Sequence, residues 1–193
     1  MFAPNQSQAK VLAAARALVR RRGYADVSLR QIAATARYSP AGLYAHFSGL
    51  DDILEALADT VRDELAQRLE AAATAGADPG AQLVAVGMAY IGFALEHPGE
   101  FELLFRQTRS RKRGFADPSP SSFDLLRRLA HRLAPHAGAE EIDVACLGMW
   151  STAHGLATLR ISHLAGLPCD WEGWSRRILR SQVETLPCDQ PRS

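Results

Sequence analysis

Outside the first fifty residues, five histidines (His97, His131, His136, His154 and His163) offer imidazoles for proton transfer. Nothing around them completes an active site: no serine or cysteine nucleophile motif, paired-histidine metal motif or glycine-rich phosphate loop accompanies them. His154 and His163 are nine residues apart, on opposite faces of a helix carrying both. The three cysteines, Cys146, Cys169 and Cys188, fall at long, unequal spacings that make neither a metal motif nor a disulfide framework. A small all-α enzyme is therefore the weakest reading, and no metal or cofactor is expected. The remaining chemistry is noncovalent. Ser28 with Gln31 three residues on forms a capping box, and a serine at a helix start can cap that helix, offer its hydroxyl to an anion beside the exposed N–H groups, or do both. Ser39-Pro40 opens another helix, in which Pro40, Ala41 and Gly42 are small enough for close approach to a partner. Capping explains Ser39 and Pro40 but not Gly42, a poor interior helix former.

The elements that carry these residues are lopsided in charge. Residues 1–50 hold seven basic side chains (Lys10, Arg16, Arg20, Arg21, Arg22, Arg30, Arg37) against Asp26 alone, a net +6, so the rest carries −5 beneath a total of +1. A basic head on an acidic body suggests a polyanion-binding module joined to something else; arginines that only solubilise a helix are the plainer alternative. The chain of 193 residues is 47% hydrophobic and 22% charged, enough for one or two packed domains and incompatible with a disordered tail. The longest strongly apolar stretch, Leu83 to Leu95, is too short to span a bilayer. The N-terminal residues lack the apolar core of a secretory signal, which points to the cytoplasm.

Periodicity predicts helices almost throughout and an all-α fold of about nine helices. Val11, Leu12, Ala15, Leu18 and Val19 form the stripe of the first, stopped by Gly23. Leu29, Ile32 and Ala33 mark the second, to about Ala36. The third runs from Ser39-Pro40 through His46 or Phe47, with Leu43 and Phe47 inward. A fourth starts at Ser48 or Gly49, with Asp51 and Asp52 favouring its dipole, and runs to about Ala73. Thr74 to Gly80 reads as a breaker. Helices follow over 81–97, 98–106, 123–133, 140–165 and 171–186, with a polar, basic loop over 107–120.

Two short helices joined by a three-residue turn describe a helix-turn-helix. The segment from Val11 to Leu54 resembles the DNA-binding domain of the tetracycline-repressor (TetR) family of bacterial regulators, through the Gly23-Tyr24 corner, Ser28-Leu29, Ile32-Ala33, Ser39-Pro40, Leu43-Tyr44 and His46-Phe47. The resemblance implies a helix-turn-helix domain over 1–50 and a ligand-binding, dimerising helical bundle over 51–193. It implies binding of a double-stranded, roughly palindromic operator, with Ser28, Tyr44 and His46 at phosphates and Ser39, Pro40, Ala41, Gly42 and Ala45 close to the groove. Where the family usually has Gly-Val in the turn, this chain has Arg37 and Tyr38, so the turn is strained or Arg37 adds a phosphate contact. Leu50 stands where a lysine is common. Few residues here can make bidentate base contacts, leaving thymine methyls or DNA shape to carry specificity.

The resemblance also implies a small-molecule inducer held among the C-terminal helices. Met88, Tyr90, Phe93, Phe101, Phe105, Phe115, Phe123, Met149 and Trp150 are large apolar residues available to line such a pocket, or simply to fill a core. Trp150 and His154 are four apart on one helix face, and the W-x-x-x-H-G stretch ending at Gly155 is similar to one in a subset of the family's C-terminal domains. A mid-helix glycine costs about 1 kcal/mol relative to alanine, which suggests close approach of another helix or a ligand. His154 is otherwise a satisfied core histidine. Leu156 and Leu159 on one helix, with Trp171, Trp174 and Ile178 on the last, supply a face for a homodimer. The reading is a homodimeric regulator, a repressor released by its inducer; the alternative is a DNA-binding dimer without one.

Overall fold

The computed structural model describes residues 6–105 and 120–186. The basic segment from Arg106 to Arg113, Phe115 and Cys188 lie outside them. The described residues form nine α-helices and no strand: α1 (Gln6–Arg22), α2 (Leu29–Ala36), α3 (Pro40–Leu43), α4 (Leu50–Ala73), α5 (Pro79–Glu96), α6 (Pro98–Leu104), α7 (Pro120–Leu133), α8 (Ala139–Ile161) and α9 (Trp171–Glu184). None is long and apolar enough to cross a membrane.

Two compact units result, and they do not divide the chain at residue 50. The first takes the N-terminal residues through Glu64 and also the segment from His97, which includes α6. Its core joins Val11, Ala15, Leu18 and Val19 of α1 to Ile32 and Ala33 of α2, Leu43, Phe47, and Ile53, Leu57 and Val61 of α4, all buried. The second takes the rest of α4 with α5, α7, α8 and α9. Its buried residues include Leu83, Tyr90, Ile91 and Phe93 of α5, Leu125 and Leu129 of α7, Ile142, Cys146, Met149 and Ala153 of α8, and Leu179 of α9.

The departure from the expected division has a physical cause in α6. Glu100 is fully buried, and its carboxylate accepts from Arg16 Nε at 2.7 Å and Arg20 Nε at 2.6 Å, both on α1. Arg16 also pairs with Glu64. Gly99 lets the two helices meet, since a Cβ there would stand 2.5 Å from the Val19 carbonyl oxygen. A buried carboxylate is tolerable only when paired and hydrogen-bonded, so α6 is fixed to the head by charge as well as by Phe101 and Leu103.

Helix limits depart from expectation at several ends, α7 for one starting at Pro120 rather than Phe123, and three of them have a local cause. α3 stops at Leu43, not at His46 or Phe47, because the N–H groups of His46 and Phe47 both converge on the Leu43 carbonyl at 2.9 and 3.0 Å. That closing turn delivers Phe47 to the core. α5 begins at Pro79, inside the expected breaker, because Asp78 accepts the Ala81 N–H at 2.8 Å and Pro79 needs no donor partner. α8 ends at Ile161 rather than Ala165, where Ser162 leaves helical geometry at φ −120°, ψ −98°.

Candidate DNA-binding face and ligand cluster

In the first unit the two expected caps form. Ser28 is extended, its Oγ accepts the Gln31 N–H at 3.4 Å, and the Gln31 side-chain oxygen accepts the Ser28 N–H at 2.8 Å and its hydroxyl at 3.0 Å. The hydroxyl is thus occupied by the capping box, and an anion arriving at α2 meets the helix start around it. Ser39 Oγ accepts the Gly42 N–H at 3.0 Å. The same cap crowds Gly42: a Cβ there would sit 3.2 Å from that Oγ. Ser39, Pro40, Ala41, Tyr44 and Ala45 are exposed, Tyr44 to 60%, while Leu43 and Phe47 are buried. The start of α3 therefore presents a low, small-residue surface flanked by a phenol.

The turn carries a conformation that sequence left open. Arg37 caps α2 at φ 60°, ψ 41°, the left-handed region, and among the described residues no other non-glycine has a positive φ. Its N–H reaches back to the Ala33 and Ala34 carbonyls. A family glycine would adopt this geometry freely; arginine does so at a cost of about 1 kcal/mol. Tyr38, the other departure in the turn, meets His46 edge-on at 6.2 Å between ring centroids and so packs beside the imidazole.

The second unit gathers a polar cluster in an otherwise apolar bundle. Trp150 Nε1 donates to the Tyr90 hydroxyl at 3.3 Å, and that hydroxyl lies 3.0 Å from His154 Nδ1. Burial pushes the Tyr90 phenol well above its usual range and lowers the His154 imidazole. A protonated phenol beside a neutral imidazole donates to Nδ1, which puts the ring proton of His154 on Nε2. Phe123 tilts against Trp150 at 6.3 Å, and the Arg127 guanidinium lies 4.7 Å above the Phe123 ring while bonding Asp143 at 2.6 and 2.8 Å. The i, i+4 spacing disclosed Trp150 and His154; Tyr90, which joins them, had been only one aromatic among many. Phe93 is buried and Met88 half-buried on α5. Phe101 and Phe105, 5.1 Å apart, belong to the first unit with α6. The close neighbour expected at Gly155 is absent among the described residues, where an added Cβ would meet nothing within 4 Å. Leu159, Trp174 and Ile178 are exposed at 43, 44 and 38%, joined by Val144 and Leu147, which sequence reading passed over; Leu156 and Trp171 are half-buried. Among the described residues no group of histidine, cysteine and carboxylate side chains could hold a metal.

A capped helix, a tight turn and a second capped helix exposing small residues, followed by an all-helical bundle, define a helix-turn-helix transcriptional regulator. Residues 11–57 match the bacterial regulatory proteins of the tetR family, and residues 83–182 match the tetracyclin repressor-like C-terminal domain. The chain belongs to the TetR family. A comparison with curated protein sequences gives no match. Among solved structures, a protein of unknown function from Rhodococcus sp. RHA1 is similar at 25% identity and TM-score 0.79, over 96% of this chain and 97% of that one. A TetR-like transcriptional regulator from the same organism shares 22% identity at TM-score 0.66, over 95 and 97%. RolR, solved in complex with the ligand resorcinol, shares the fold at 17% identity and TM-score 0.65, over 95 and 89%.

Proposed function

We propose that this regulator is a homodimeric repressor that holds a roughly palindromic operator through the start of α2 and through α3, and releases it when a small molecule binds in the second unit. The observation that carries the DNA half is the exposed, small-residue start of α3 with Tyr44 and His46 at its edge. In this reading Ser28, Arg37, Tyr44 and His46 meet phosphates, while Ser39, Pro40, Ala41, Gly42 and Ala45 approach the groove. The inducer half is supported by Tyr90, Trp150 and His154, which put oriented polar groups among apolar and aromatic walls with Phe123, Phe93 and Met88 nearby in sequence or structure. RolR in its complex with resorcinol is a precedent for a small phenolic guest in this fold. The dimer face comprises Leu156, Leu159, Trp171, Trp174 and Ile178. Binding that favours one separation of the two heads would couple the sites. The protein then acts in the cytoplasm, with the chromosome, and without catalysis.

Selection of bound fragments from the source genome tests the first half: a recurrent palindromic site is expected, and recovery without sequence preference overturns it. On that site Tyr44→Phe and His46→Ala weaken binding to all sequences, whereas Ala41 and Ala45 variants shift the preferred sequence. A screen of small aromatic compounds by melting temperature tests the second half, a compound that raises the temperature being expected also to release the operator.

A further inference from the structure

The head's positive charge is not uniformly available. Arg16 and Arg20 are held by Glu64 and Glu100, and Arg21 donates to its own helix at the Ala17 carbonyl. Lys10, Arg22, Arg30 and Arg37 have no carboxylate partner among the described residues, and two of them, Lys10 and Arg37, line one groove between α1 and α2. Four alanines (Ala13, Ala14, Ala17, Ala36) line it with them, as do Thr35 and Tyr38. Two cations and two hydroxyl-bearing side chains among these alanines fit a phosphodiester strand, whose oxygens accept from all four and whose sugars lie against small side chains. The groove is continuous with the reading face through Tyr38, which contacts the imidazole of His46.

Resting on the DNA-binding reading above, we propose that this α1–α2 groove is a second backbone-binding site, in which Lys10 and Arg37 hold operator phosphates beyond those met by α3. The left-handed arginine then has a use that a glycine at that position would lack. Such contacts are indifferent to sequence, so they add affinity and salt dependence but no discrimination.

The experiment measures binding of full-length protein to a duplex recovered by genomic selection and to an unrelated duplex of equal length, from 50 to 200 mM salt. Each phosphate contact contributes a slope of about 0.9 in log affinity against log salt, so losing one in each head of the dimer lessens the fall in affinity over that range by roughly 12-fold. Lys10→Gln and Arg37→Asn, the latter chosen because asparagine tolerates the left-handed region, each remove one contact from both heads of the dimer and are each expected to reduce the slope by about two on both duplexes, and the pair by about four. Unchanged slopes with melting temperatures like wild type overturn the groove and the phosphate role of Arg37, while leaving the repressor reading through Ser28, Tyr44 and His46 intact. Weaker binding to the operator alone, with both slopes kept, also overturns it, because that would mark a base contact. A wild-type protein that binds neither duplex overturns the reading beneath it.

Discussion

At the residue scale, local rules worked where a side chain serves its own neighbours and failed where it serves distant ones. Ser28 with Gln31, and Ser39 with Pro40, were legible because a cap is completed within three residues. The left-handed Arg37 was visible only as a departure from an expected glycine, since no pattern in the turn states its φ. Tyr90 was concealed because its partners lie 60 and 64 residues away. Gly155 gives a sharp test: with nothing within 4 Å of its missing Cβ, Gly155→Ala is expected to raise stability by up to about 1 kcal/mol through helix propensity alone, seen as a higher urea midpoint. A lower midpoint would mean that a ligand or second subunit presses on that face. Tyr90→Phe removes the hydroxyl that joins Trp150 to His154 and is expected to cost about 1–2 kcal/mol, measured by the same unfolding.

At the element scale, α6 departs most from what the sequence suggests. Its length and apolar residues were readable, but not that it packs on α1, because Glu100 finds Arg16 and Arg20 at separations of 84 and 80 residues. Burial alone would raise the Glu100 carboxyl, yet the two guanidiniums outweigh it and hold the group below the usual carboxylate range. A depressed carboxyl stabilises the fold at pH above its unfolded value, about 4.3, and that stability is lost as pH falls through the folded value. Stability measured by urea from pH 6 downward should therefore fall on acidification, and the fall should be shallower in Glu100→Gln. At neutral pH Glu100→Gln should cost about 3 kcal/mol, near the low end for breaking a buried pair because Arg16 keeps Glu64 and Arg20 is half in solvent. The ends of α3 and α8 were misplaced for a related reason: apolar periodicity continues through Phe47 and Leu164, whereas the backbone turns to bring Phe47 inward and stops at Ser162.

At the scale of the whole molecule, the all-α class and the two-module plan were legible from periodicity and from the division of charge into +6 and −5. What composition could not apportion was the apolar content among core, pocket and partner surface. Exposed Trp174 and Ile178 on α9, with Leu159, Val144 and Leu147 on α8, are among the apolar residues the core leaves uncovered. Trp174→Glu with Ile178→Glu is expected to shift the protein from dimer to monomer in sedimentation and to weaken operator binding, since a palindrome is read by two heads at once. A double variant that sediments as a dimer would assign subunit contact to another face.

The ion cluster around Glu100 also limits how such proteins can be recombined. A graft that moves residues 1–50 onto a relative's sensor leaves Arg16 and Arg20 without Glu64 and Glu100, and sets the Val19 carbonyl against whatever residue replaces Gly99. The portable head is discontinuous in the chain: it consists of the N-terminal residues through Glu64 together with the stretch around α6, so an exchange of operator specificity has to carry both pieces.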